Sequence, residues 1–509
     1  NWHLLDLKTD GFYGISLQPA YQLVKGKKSK TVVVATIDSG LDTAQKDLKP
    51  ILWVNPKEIA GNGKDDDKNG YIDDVHGWNF LGGPGGKANY TETTEEIREY
   101  SRLKGKYTSV TEATATNKKE YAYWLKVKDV HDSTISKSTA ESEQLSPVLN
   151  VLMTTSGYIK RELKLPADAS FKKADLAKVS TVNDTTARSK MVWESIFTQD
   201  GGDKDNADII KDISEYLAKL NNDINPDLTS RQRIMGDDAN IWDTKPYGNN
   251  LIKFPDASHG TGVAGMIGGV RGNNYGVDGV ADNVRIIGIK AVPNGDEYDK
   301  DIAKAIRYAV DNGAKVINMS FGKKLSPHKK WVDDAFKYAA AKDVLLVQAS
   351  GNDGEDVDVT VLYPNDTFDD GSSTDAANVI CVGASAATND ETLAGSFSNY
   401  GKKNVDVFAP GVKITLIDTD AEFNTADGTS FASPLVAGVA ALVLEYYPQL
   451  SARQLKQVIL QSAAPVSTQV IKPGSKDEKV TFSTLSKTGG IVNAYKALQI
   501  AATLKGERK

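Results

Sequence analysis

The sequence predicts an α/β protein: a doubly wound, mostly parallel sheet with helices on both faces, interrupted by a mainly helical insertion. Three observations carry this. Apolar β-branched runs such as Thr31-Val32-Val33-Val34-Ala35-Thr36-Ile37 are continuous rather than alternating, as strands covered on both faces require. Between residues 258 and 349 such runs alternate with amphipathic helical stretches, the rhythm of parallel strands joined by crossover helices. From 83 to 248 that rhythm stops and the composition turns polar. The expected organisation is a lead segment, 1–30, a main domain from 31–82 and 249–509, and an insertion, 83–248.

In chain order, the first strand ends in Asp38-Ser39-Gly40. Functional groups of open α/β sheets collect at the carboxyl ends of strands, which makes Asp38 a site candidate; an Asp in an ordinary β-turn is the alternative. Residues 61–76 are strongly acidic. Asp65, Asp67, Asn69 and Asp73 fall at positions one, three, five and nine of an EF-hand-like loop, with Gly70 at the sharp turn and Tyr71 able to offer its carbonyl. These oxygen donors suit a structural Ca2+ ion. The five carboxylates between Asp65 and Asp74 repel one another without a cation, although position twelve is His76 rather than Glu. The competing reading is a solvated acidic turn.

Gly82-Gly83-Pro84-Gly85-Gly86 marks a boundary. The insertion beyond it has helical periodicity, as in Ile209, Ile213, Tyr216, Leu217 and Leu220 before the stop at Asn225-Pro226, and lacks a catalytic cluster of its own. It reads as a solvated appendage or as a lid.

Ser258-His259-Gly260-Thr261-Gly262 then places an imidazole at a helix start, where it can relieve a hydroxyl of its proton near neutral pH; the chain has only five histidines. A strand over 284–292 precedes a helix with Ile302, Ala305, Ile306, Ala309 and Val310 on one face. Strand 315–320, helix 331–342 and strand 344–349 follow, the last ending in Ser350-Gly351-Asn352. Asn352 can aim its amide at an oxyanion or simply form a turn. The single cysteine, Cys381, lies in Val379-Ile380-Cys381-Val382, a buried strand, so internal disulfides are excluded. Last comes Asp427-Gly428-Thr429-Ser430-Phe431-Ala432-Ser433-Pro434, directly before the apolar run 435–444. Ser430 reads as a nucleophile at the mouth of a buried helix with Pro434 in its first turn, where amide ends meet developing charge; a Ser/Thr-rich cap on a core helix is the alternative.

Composition narrows the field. With 40% hydrophobic and 25% charged residues among 509, the chain can bury a large core. Lys and Arg total 61 against 67 Asp and Glu, a net charge of -6, so there is no basic footprint for nucleic acid. The longest apolar run, 435–444, is too short to span a bilayer and reads as a core helix.

Asp38-Ser39-Gly40, His259-Gly260-Thr261, Ser350-Gly351-Asn352 and the 428–434 segment stand in one order that resembles the subtilisin-like serine proteases, whose triad runs Asp, His, Ser along the chain. The resemblance covers about 10–82 and 249–500, including Ile317-Asn318-Met319-Ser320-Phe321-Gly322, Tyr363-Pro364 and Gly489-Gly490-Ile491-Val492-Asn493-Ala494, but not the insertion. It departs from the commonest pattern at Gly262, Asp427, Phe431 and Leu435, none of which carries the chemistry. It implies a subtilisin-like fold and a serine endopeptidase acting on proteins or peptides. Ser430 would be the nucleophile, His259 the general base, Asp38 its orienting carboxylate, and Asn352 with the Ser430 amide the oxyanion donors. Substrate would pair along Ser320, Phe321 and Gly322, opposite Ser350 and Gly351, with Leu362 at the base of the primary pocket selecting apolar or modest-sized side chains. The acids Asp353, Glu355, Asp356 and Asp358 offer the rival expectation of basic substrates. The resemblance also implies export, to a secreted, periplasmic or cell-envelope location, with a signal removed ahead of Asn1.

Overall fold

The continuous apolar runs become the central strands of one nine-stranded sheet and are buried along most of their length, as their lack of alternation requires. The computed structural model describes residues 1–508 except 90, 113, 200–203, 255–256, 371–374 and 420–422. Strands β1 (Val32–Asp38), β2 (Gly77–Asn79), β3 (Val284–Lys290), β4 (Val316–Met319), β5 (Leu345–Ala349), β6 (Val379–Ser385), β7 (Val407–Pro410), β8 (Ala464–Pro465) and β9 (Gly490–Ile491) lie in the order β8-β9-β7-β6-β5-β4-β1-β3-β2. All neighbouring pairs are parallel except β8 with β9. Successive residues of β1 serve opposite faces. Val34 packs with the helices Ser258–Gly268 and Thr429–Tyr446, whereas Ala35 and Ile37 pack with Asp299–Asp311 and Lys329–Ala341. Chain order reverses across β1, with β3 on one side and β4 on the other, so the crevice for a site lies at the carboxyl ends of β1, β4 and β5.

The chain divides into two units, Asn1–Thr91 with Thr229–Lys509, and Glu92–Leu228. The division is narrower than the expected insertion of 83–248. The stretch after 229 is tied to the sheet unit by buried charge: Arg231 donates from both Nη atoms to the two carboxylate oxygens of Asp301, each at 2.7 Å, and the Lys300 ammonium reaches Asp237. Residues 1–30 are likewise not a separate lead, because Ile15, Leu17 and Ala20 are fully buried in the sheet unit's core. Within the second unit, helices Glu95–Tyr107, Lys118–Glu162, Asp184–Gln199 and Asn206–Ile224 bury Leu152, Ile159, Phe171, Trp193, Phe197 and Ile209. Of the periodic residues, Ile209 and Leu220 are buried; Tyr216 is exposed and gives its hydroxyl to Glu141.

Thr429–Tyr446 is long and apolar enough to cross a membrane by length and composition, but 89% of it is buried, the core helix the sequence anticipates. It begins earlier than expected, so Pro434 sits inside it rather than in its first turn.

Candidate functional site

Asp38 ends β1 and is 2% exposed; His259 stands one residue into the helix Ser258–Gly268. The approach of helix to strand depends on Gly260, where a Cβ would lie 2.1 Å from the Gly40 carbonyl oxygen. His259 Nδ1 and Asp38 Oδ1 are 2.7 Å apart, and the same oxygen accepts the Ser39 amide at 2.7 Å. Burial by itself lowers the pKa of the imidazole, but the Asp38 carboxylate outweighs it and holds His259 above its ordinary value. Across the ring lies Phe431, 5.5 Å between centroids, which brings His259 beside the start of the Ser430 helix.

Ser430 is held through the proline that follows it. Pro434 has no N–H, so the Ser430 carbonyl four residues earlier lacks its helical partner. That carbonyl accepts the Ser320 hydroxyl at 2.8 Å instead. Asn318, at 0% exposure in β4, donates to Ser320 Oγ at 2.9 Å and accepts Ser433 Oγ at 2.7 Å. A chain of hydrogen bonds therefore joins the end of β4 to the first turns of the Ser430 helix. The Ser430 hydroxyl itself makes a long 3.4 Å bond to the Ser320 carbonyl.

Asn352, exposed beyond β5, accepts both the Thr429 amide and the Thr429 hydroxyl at its Oδ1, each at 2.9 Å. With Oδ1 so engaged, Nδ2 carries two N–H donors directed away from Thr429. Gly351 N donates to Thr429 Oγ1 at 3.2 Å, closing the loop onto the same turn. Asp38, His259, Ser430 and Asn352 are thus gathered at the carboxyl edge of the sheet from four separate segments.

The Ser320–Gly322 stretch leads into Lys323, whose backbone pairs both ways with Tyr363 at 2.8 and 2.9 Å. Gly322 and Gly351 face each other across Leu362: a Cβ on either would meet Leu362 Cδ2, at 3.1 and 2.8 Å. Ser350 is buried and Phe321 half-buried. The acids expected to compete for specificity are partly engaged elsewhere. Asp358 accepts the Lys403 and Asn404 amides, Asp356 the Asp358 amide, and Asp353 lies 3.4 Å from the Asn399 amide group.

The acidic loop carries its own set of internal hydrogen bonds. Asp73 turns its carboxylate onto the amides of Gly61, Asn62 and Gly63, at 2.9, 3.2 and 2.7 Å, and so serves as a loop cap. Asn69 spends its Oδ1 on the Tyr71 amide, and the Tyr71 ring packs edge-on to Trp78 and Tyr308. Asp65 and Asp67 do come together, joined by Glu58, with one carboxylate oxygen of each within 4.8 Å of the others. Glu58 Oε2 is buried with no hydrogen-bond partner among the described residues, an oxygen that a hard cation suits. Glu58 lies upstream of the loop and escapes a ligand spacing counted from Asp65. Asn318 and Ser433 pair in the core, and the sequence signal for that pairing is a polar residue inside the apolar strand Ile317-Asn318-Met319, which has to find a buried partner.

A doubly wound, mostly parallel sheet with Asp38, His259, Ser430 and Asn352 at its carboxyl edge places the chain among the open α/β folds that carry their sites at strand ends. Residues 29–491 match the subtilase family, peptidase S8, and the chain belongs to that family. It is 36% identical over 252 residues to halolysin of Haloferax mediterranei, covering 49% of this chain and 44% of that protein. To the thermophilic serine proteinase of Bacillus sp. AK1 it is 40% identical over 211 residues, 41% of this chain and 48% of the relative. To the cell wall-associated protease of Bacillus subtilis it is 31% identical over 231 residues, 45% and 24% of the two chains. The matched region spans about half or less of the length of these curated relatives.

Proposed function

We propose that this chain is a serine endopeptidase that cleaves peptide bonds through Ser430, His259 and Asp38, with Asn352 and the Ser430 amide as oxyanion donors. The observation that carries the reading is the 2.7 Å Asp38–His259 contact set beside the first turn of the Ser430 helix. Ser430 Oγ attacks the scissile carbonyl carbon while His259 Nε2 takes its proton. The charge that forms on the imidazolium faces Asp38, and the charge on the former carbonyl oxygen faces Asn352 Nδ2 and the Ser430 N–H. Collapse breaks the C–N bond as His259 returns the proton to the leaving amine. Water then repeats the sequence on the acyl-enzyme.

The substrate is an extended segment laid along Ser320–Gly322, its primary side chain between Gly322 and Gly351 above Leu362, which favours apolar or modest-sized groups. Glu58, Asp65 and Asp67 hold a Ca2+ ion that ties the 58–67 loop together. The named location of the Bacillus subtilis relative supports a place outside the cytoplasm for this chain as well. A peptide-library profile tests the specificity, and dominance of Arg or Lys beside the cleaved bond would overturn it.

A further inference from the structure

We propose that Asn399 is a positioning residue that sets the oxyanion donor Asn352. The proposal rests on the endopeptidase reading above. Asn399 is 1% exposed, and its side-chain amide spans the loop on both sides of Asn352. On one side Nδ2 donates to the Ser350 carbonyl at 2.9 Å. On the other Oδ1 accepts the amides of Asp353 and Glu355 at 3.0 and 2.9 Å, and Nδ2 lies 3.4 Å from Asp353 Oδ2. Both N–H donors and both acceptor lone pairs of this amide are directed at residues 350–355.

The loop needs such a brace. Gly351 adopts φ +100°, and any Cβ there would stand 2.4 Å from Asn399 Nδ2, so the glycine makes room for the amide to reach the chain it holds. Asn352 itself is exposed, and its remaining tether is the pair of bonds from Thr429 to Oδ1. Thr429 determines which end of the Asn352 amide faces the cleft, while Asn399 determines where the backbone carrying it stands. Two main-chain contacts would survive loss of the side chain: Asn399 N to the Gly351 carbonyl at 2.9 Å, and Ser350 Oγ to the Asn399 carbonyl at 3.1 Å. Removing the amide should therefore loosen the loop without undoing the strand beneath it. A misplacement of a fraction of an ångström at an oxyanion donor acts on the transition state and leaves ground-state binding nearly untouched.

The test is a double-mutant cycle on a chromogenic peptide amide, using the full chain: Asn399→Ala and Asn352→Ala, singly and together, with Asn399→Asp as a second probe that keeps an acceptor for the Asp353 and Glu355 amides. Asn399→Ala should lower kcat about tenfold with KM within about twofold, and should cost less than about twofold once Asn352 is already Ala. Asn399→Asp should fall in the same direction, having lost the donor to Ser350 and gained a carboxylate beside Asp353. Equal losses in both backgrounds, or a rise in KM at constant kcat, would overturn the proposal while leaving the endopeptidase reading intact. If Asn352→Ala leaves kcat within about twofold, the oxyanion reading fails and takes the proposal with it.

Discussion

Replacing Asp38 separates two contributions that the site combines, orientation of the imidazole and charge opposite it. Among the described residues, Asp38 is the hydrogen-bond partner of the His259 ring, whose side chain is 38% exposed, so Asp38→Ala removes both contributions and should lower kcat on the order of 10^4-fold, about 5 kcal/mol. Asp38→Asn should lose less. The Ser39 amide donates to the oxygen that also faces His259, so an asparagine places its own carbonyl oxygen there and still fixes the proton on Nδ1. What disappears is the charge, and with it the difference between a charge-assisted and a neutral bond, about 2 kcal/mol. Its NH2 would take the position of Asp38 Oδ2, a buried atom with no hydrogen-bond partner among the described residues, which adds roughly 1–2 kcal/mol of desolvation cost to folding. The expected order of kcat is wild type, then Asn about 30-fold lower, then Ala. Both variants lose the carboxylate charge that offsets burial at the imidazole, so the acidic limb of kcat/KM should move to lower pH, since the wild-type carboxylate holds the pKa above its ordinary value. The same raised pKa gives the wild-type fold a stabilising contribution that is fully present below about pH 6.5 and disappears as pH rises through the raised value. Steady-state kinetics from pH 5 to 9 decide the matter. An Asn variant as slow as Ala, or an acidic limb that stays in place, would refute this account of the Asp38–His259 pair.

Other expectations are simpler. Asn352→Ala should lower kcat about 10^2- to 10^3-fold with little change in KM, measured on one peptide amide. Leu362→Gly empties the space between Gly322 and Gly351 and should shift a peptide-library profile toward bulkier primary side chains; an unchanged profile would remove Leu362 from the pocket. Asp301→Asn leaves Arg231 with Asp237 as its remaining carboxylate partner and should lower unfolding free energy by about 1.5–3 kcal/mol in urea titration. Calcium at a hundred times its Kd should stabilise the fold by about 2.7 kcal/mol, seen as a fall in Tm on chelation, and Glu58→Gln with Asp67→Asn should abolish that response.

Much of the sheet was legible because both faces are buried: Val34 and Ala35 are apolar neighbours that serve opposite cores, a pattern no half-exposed strand shows. The four gathered side chains were legible from their places at element ends: Asp38 closes β1 and Asn352 lies just past β5, while His259 and Ser430 each stand second in a helix. What stayed hidden was long-range polar pairing. Arg231 and Asp301 are 70 residues apart in the chain, and no local pattern pairs them, yet they form a buried ion pair within the sheet unit, which resumes at Thr229. Asp73 sits at a ligand position by spacing, but three backbone amides ten to twelve residues upstream claim it first. Pro434 looked like a helix opener; its place inside the helix is what frees the Ser430 carbonyl for Ser320.

The most direct test of the central claim is intact mass after treatment with a fluorophosphonate serine probe, run in parallel on the wild type and Ser430→Ala. The account predicts a single adduct on the wild type, mapped to Ser430, and none on the variant. An unlabelled wild type, or equal labelling of both, would contradict the assignment of Ser430 as an activated nucleophile.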